Sequence, residues 1–397
     1  MRILIAPSGF KEGLGVEEVV DAIATGVLRA LPDAIIQRAP LVDGGEGFTR
    51  SLVAATGGTV HHLTVTGPVG EPVHSHYGFL GGHGPKTAVL EMAAAAGLHL
   101  VPRDSRDPLC TTTYGVGQLI KAALDAGAER ILVGCGDSGT NDGGAGAAQA
   151  LGARLLDEVG ADLGHGGREL SRLARIDLTS LDSRLNTVPI DVACNWHNVL
   201  CGPDGVARVF GPQKGASPEV VEQLAAALDR FAQVIDHDLG IDVRTMPGGG
   251  ASGGLGAGLS SLLGATLHPR YDIVMQYLEF DKLLNAVDLV ITAEGAIDFQ
   301  TPRGKIPAEV ARRAKQYGLP VIALAGTIGN NAEINFEHGI DTFSSILQKP
   351  CTLAEAIADT PALLAACAQR VLSAVMVGIK MANVQRSGWS LETADGR

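Results

Sequence analysis

Apolar residues near the start of the chain switch between two periods. Residues 2–6 form a short apolar run closed by Pro7, Ser8 and Gly9, residues 16–31 follow a helical period, and residues 34–39 are a second strand candidate. Strand, helix and strand with short connections open a parallel α/β sheet. The end of the chain repeats the rhythm. Residues 288–292 and 321–325 predict buried strands around a helix at 307–316, followed by a helical stretch near Asn331, a strand at 342–347 and one long helix at 353–379.

The middle has another grain. Residues 59–66, 73–79 and 87–91 are short β-like runs with turns and no helix between them, which predicts an antiparallel meander. A helix at 114–126, strands at 131–135 and 188–193, a helix at 218–236 and a glycine tract from Gly248 follow. The pattern predicts an α/β protein: a doubly wound parallel-sheet domain, flavodoxin or Rossmann-like, from residues 1–58 and 285–397, with an inserted mixed α+β domain at 59–284. Residues 112–151 fit either sheet. Residues 385–397 lose periodicity and read as a frayed tail.

Composition narrows the function. The 397 residues are 46% hydrophobic but only 4% aromatic, so Ala, Val, Leu and Ile build the core, as in buried parallel strands. A formal net charge of -12 argues against a nucleic-acid partner, which needs a basic face, but not against ATP. Six cysteines without CxxC spacing read as reduced thiols. The opening apolar stretch is too short for a signal peptide, and apolar runs stop short of the roughly 18 residues of a membrane span. A soluble, cytoplasmic protein without a membrane partner is expected; a homodimer is compatible with it.

Five glycine-rich segments carry the candidate chemistry: VDGGEG from Val42, GDSGTNDGGAG from Gly136, FGPQKGA from Phe210, GGGASGGLGAG from Gly248 and TAEGAIDFQTPRGK from Thr292. Glycine lets backbone N–H groups approach an anion, and embedded acids, amides and lysines supply metal ligands and counter-charge. Glu294 and Asp298 fall at or beyond the end of a strand, and Lys305 opens the next helix, a phosphate position. Ser138, Thr140 and Asn141 can donate to phosphate oxygens; Asp142 can bind Mg²⁺ or cap a helix. Asp43 and Glu46 can coordinate Mg²⁺, activate a hydroxyl or form a capping box. Lys214 and Lys11 are candidate anion clamps on loops. The tract from Gly248 fits close backbone packing or a hinge as well as phosphate binding.

Together with IAPSGFKEGL at Ile5, VTGPVG at Val65 and LEMAAAAGL at Leu90, these motifs resemble the bacterial two-domain glycerate kinases of the glycerate 2-kinase type, from Met1 to about Ile379. The resemblance implies transfer of phosphate from ATP, with Mg²⁺, to a hydroxyl of D-glycerate, giving 2-phosphoglycerate. On that reading Asp43, Asp298 and Lys11 serve catalysis, Ser138, Thr140, Asn141, Lys214 and Lys305 hold the nucleotide, and Asp142, Glu294 and Glu46 face the metal. Four positions depart from the family pattern: Ser8 and Asn195 stand where it has aspartates, Asp137 is an added carboxylate, and Ala293 replaces a glycine. The alternatives are a kinase of another small hydroxy acid, or a protein that binds such a ligand without transferring phosphate.

Overall fold

A computed structural model describes residues 1–10 and 14–392, so Lys11 lies outside the described residues. In chain order the strands are β1 (Arg2–Ile5), β2 (Ile35–Arg38), β3 (Thr59–Thr66), β4 (Pro72–Phe79), β5 (Thr87–Glu91), β6 (Arg130–Gly134), β7 (Arg154–Leu156), β8 (Arg175–Asp177), β9 (Ile190–Cys194), β10 (Thr266–Pro269), β11 (Leu289–Ile297), β12 (Val321–Ile328) and β13 (Thr342–Ser345). The chain divides into two compact units, residues 1–41 with 279–397, and residues 42–278.

The first unit is an all-parallel sheet in the order β13-β12-β11-β1-β2. Counted within the unit this is 2-1-3-4-5, the flavodoxin-like order, whose crevice opens at the carboxyl ends of its first and third strands, here β1 and β11. Ile3, Leu4 and Ile5 of β1 are wholly buried. Helix Val16–Ala30 packs on the C-terminal helix Thr360–Glu392 so closely that a Cβ on Gly26 would lie 2.1 Å from the Ala365 carbonyl oxygen.

Three expectations for the last part of this unit change. The single helix expected at 353–379 is two, Leu353–Ala358 and Thr360–Glu392, because Pro361 has no N–H to continue the first. The second runs on through residues 385–392, where a frayed tail was expected. Its stretch Thr360–Val384 is also long and apolar enough to cross a membrane by length and composition, contrary to the sequence reading. Leu364, Cys367, Ala368 and Leu372 on it are nevertheless core residues of this unit.

The second unit is built on a six-stranded sheet in the order β10-β9-β6-β5-β4-β3. The β3-β4-β5 run is the antiparallel meander read from the sequence, and β5, β6, β9 and β10 are parallel. Residues 112–151 lie within this unit, as β6 and helices Tyr114–Asp125 and Ala145–Ala150. Strand β10, helix Arg270–Tyr277 and the small β7-β8 hairpin were not anticipated.

Candidate active site

In the second unit the four parallel strands end in register. Glu91 pairs with Gly134, Gly134 with Ala193, and Cys194 with Pro269. The loops leaving this carboxyl edge begin at Cys135, Asn195 and Arg270, where α/β sheets place their ligands. The segment Val42–Gly47 lies across the edge. A Cβ on Gly44 would stand 3.2 Å from the Ala193 carbonyl oxygen, and one on Gly136 would stand 2.7 Å from the Gly45 Cα. Asp137 then ties the two loops by accepting the Glu46 N–H at 3.0 Å, from a left-handed backbone with φ 49°. An aspartate tolerates that conformation better than most residues.

Asp43 stays half-exposed at this edge. One of its carboxylate oxygens accepts the Gly45 N–H at 3.3 Å, and the other is 4.0 Å from an Arg270 guanidinium nitrogen. The Glu46 carboxylate turns outward to His99 Nδ1, 2.7 Å away. Neither forms the capping box weighed from sequence. Helix Phe48–Thr56 is capped instead by buried Glu91, which accepts the Gly47 and Thr49 N–H groups at 3.0 and 2.7 Å. Burial pushes the Glu91 carboxyl up, while those bonds pull it back.

The loop after β6 is braced from below. Lys214 is 2% exposed, and its ammonium donates to Ser138 Oγ at 2.9 Å and to the Thr140 carbonyl at 2.6 Å. Burial pushes this lysine down to about 7. Asp142, also wholly buried, accepts from the Thr113 N–H and Oγ1 and from the Gly144 and Gly146 N–H groups. That makes it the joint cap of helices Tyr114–Asp125 and Ala145–Ala150. Its oxygens are filled by protein donors, so the structure favours the capping alternative over the metal.

The tract from Gly248 packs on the same loop. A Cβ on Gly253 would fall 2.0 Å from the Thr140 carbonyl oxygen, and one on Gly258 would fall 2.3 Å from that of Gly143. Ser252, Gly253 and Gly254 all have left-handed backbones at this contact. Close backbone packing is thus its evident role. Beside it, Thr140 Oγ1 and both polar atoms of the Asn141 amide are buried without a hydrogen-bond partner among the described residues. Such atoms cost about 1–3 kcal/mol each until something satisfies them. By these contacts four of the five glycine-rich segments meet in this unit.

The fifth belongs to the first unit. Strand β11 continues to Ile297, so Glu294 lies inside it, in register with Ala325, rather than at the end of a strand closing at Thr292. Asp298 follows the strand directly and accepts the Gln300 N–H at 2.8 Å. Lys305, the N-cap residue of helix Ile306–Gln316, turns its ammonium to Asp298 at 3.4 Å. Ser8, just beyond β1, donates its Oγ to the Ala293 carbonyl at 3.2 Å, a bond that an aspartate could not make as a carboxylate. Among the described residues no group of three or more His, Cys, Asp or Glu gathers as a metal cage. Mg²⁺ needs fewer, since one or two carboxylates suffice when phosphate oxygens and water complete its shell.

The family model for the glycerate kinase family matches residues 3–376. The chain belongs to the glycerate kinase family. It is 49% identical to the glycerate kinase of Bacillus subtilis (strain 168), over 90% of this chain and 93% of that one. It is 44% identical to the glycerate 2-kinase of Escherichia coli (strain K12), over 96% of this chain and all of the relative. A solved structure from Salmonella typhimurium LT2, described as a glycerate kinase 2, superposes with a TM-score of 0.84 at 46% identity, covering 95% of this chain and 99% of the other. Within this kinase family member, sequence reasoning passed over Arg270 and Glu91. Glu91 ends a strand after apolar Ala88, Val89 and Leu90 and could have been flagged as a buried acid; Arg270 follows the strand Thr266–Pro269, which has no apolar run.

Proposed function

We propose that this protein transfers the γ-phosphoryl group of ATP to a hydroxyl of a small hydroxy acid, D-glycerate to 2-phosphoglycerate being the reaction its relatives' names favour. The observation that carries this reading is the convergence of four glycine-rich segments around a buried lysine at the carboxyl edge of parallel strands. In phosphoryl transfer the protein chiefly positions groups and neutralises charge. Loop Gly136–Asn141, held by Lys214 from below, receives the phosphates, and the partnerless polar atoms of Thr140 and Asn141 suit oxygen-rich ligands.

Asp43, half-exposed at the same edge, accepts the proton of the attacking hydroxyl as the new O–P bond forms and the bond to ADP breaks. Asp137 would hold Mg²⁺, which would neutralise charge on the phosphate oxygens, and Glu46 would join it only by leaving His99. Asp142 is assigned to bracing instead. In the first unit Asp298, Glu294, Lys305 and Lys11 keep the roles the resemblance implies, as proposals. A cytoplasmic location accords with the packed face of the C-terminal helix. The test is ADP release with a panel of hydroxy acids, with the product identified by phosphorus NMR. Release that D-glycerate does not raise, with no other hydroxy acid raising it either, refutes the proposal.

A further inference from the structure

A hydroxy acid brings a carboxylate next to its reacting hydroxyl, so a kinase for it needs a cation beside the proton acceptor. Lys11, Lys214 and Arg303 are three cations within the motifs quoted above. Lys214 is used up, with its ammonium enclosed and bonded to Ser138 and Thr140. Arg303 lies over the Phe299 ring at 5.7 Å, and Lys11 lies outside the described residues.

Arg270 meets the need by position. It is the first residue beyond β10, and the register of Pro269 with Cys194 sets it level with Asn195 at the sheet's carboxyl edge. Its side chain is 26% exposed. One nitrogen stands 4.0 Å from Asp43, too far for a hydrogen bond, and the guanidinium lies over the Tyr271 ring at 4.6 Å. Its charge also bears on the Cys194 thiol at the end of β9. A guanidinium is a planar fork matched to carboxylate oxygens, and stacking on an aromatic ring fixes its plane.

The residue is also held in place. Two positions earlier, His268 bonds buried Asp191 at 2.8 Å, and Asp191 accepts from Tyr277 at 2.7 Å and from Arg130 at 3.0 Å. Both ends of helix Arg270–Tyr277 are thus tied to β9 through one carboxylate.

We infer that Arg270 binds the carboxylate of the hydroxy acid, so that Asp43 beside it addresses the hydroxyl on the adjacent carbon. This rests on the reading of Asp43 and the phosphate loop given above, and it adds the residue that recognises the substrate's carboxylate. A 2-hydroxy acid is favoured over an alcohol or a 3-hydroxy acid.

The test uses the full-length protein with D-glycerate, glycerol and 3-hydroxypropionate as probes. Wild type is expected to release ADP with D-glycerate and far more slowly with the other two. In Arg270→Ala the KM for D-glycerate should rise about 100-fold or more with the KM for ATP within about threefold, and the preference over glycerol should collapse. Arg270→Lys keeps the charge without the fork and should fall between, at about tenfold, which also serves if the alanine variant does not fold. A KM for D-glycerate within threefold of wild type in the folded variants, with wild type active, overturns the assignment of Arg270 alone. A wild type that no hydroxy acid stimulates overturns the kinase reading itself.

Discussion

Replacing Lys214 by Met removes a buried charge while nearly keeping its volume, and its effect should depend on pH in a calculable way. Burial holds the lysine at about 7, against an ordinary 10.5. Between those values the unfolded chain carries a proton that the folded chain does not, so stability rises with pH across the window. Below about 7 both states are protonated and the cost of the buried charge is complete; above about 10.5 it is gone. The full difference is about 5 kcal/mol, at a slope of about 1.4 kcal/mol per pH unit. Asp142, buried nearby, opposes it only in part through its own charge. The hydrogen bonds to Ser138 and Thr140 act on the same equilibrium and are already contained in that value. Between pH 7 and pH 10 wild type should therefore gain about 3–4 kcal/mol relative to Lys214→Met. Urea unfolding of both proteins at pH 7, 8, 9 and 10 reads the slope difference, in which other titrations drop out. A difference below about 0.3 kcal/mol per pH unit would show that the ammonium is not held as described.

Gly253→Ala should destabilise by about 2–4 kcal/mol by thermal melting, since its Cβ meets the Thr140 carbonyl; Gly264→Ala, with the same φ of 71° and no neighbour within 4 Å, should cost about 1 kcal/mol. Equal costs would remove the packing argument. Asp142→Asn replaces an acceptor oxygen by a donor among N–H groups and should lower stability by about 2–4 kcal/mol, read as an earlier urea midpoint. Asn195→Asp keeps the acceptor for the His197 N–H, so turnover of D-glycerate should fall or stay level. A clear gain, alone or with Ser8→Asp, would show a site that has lost carboxylates it needs.

The parallel opening, the meander and the repeat of strand and helix at the chain's end were legible because each rests on local periodicity. What failed was local evidence with a non-local cause. Gly295 reads as a turn, yet it faces Gly326 across β11 and β12, where a Cβ on Gly326 would fall 2.6 Å from the Gly295 carbonyl oxygen. Gly326 lets the two strands stay this close, and Glu294 is carried inside. Lys214 was flagged by its flanking glycines, but its burial comes from Ser138 and Thr140, more than seventy residues earlier. The capping role of Glu91 and the place of Arg270 likewise depend on strand register, which no single segment reveals.

Because the first unit is assembled from both ends of the chain, its synthesis and its folding are separated in time. Strand β1 leaves the ribosome early, but its neighbour β11 begins only at Leu289, after the whole of residues 42–278. That is about 240 residues, or roughly 12–50 s at 5–20 residues per second. During this interval Ile3, Leu4 and Ile5 have no sheet to enter on that side, while the second unit already has every strand of its own. The nascent chain thus carries a folded middle and a waiting apolar N-terminus, and that short segment is where a chaperone or a competing aggregate would first take hold.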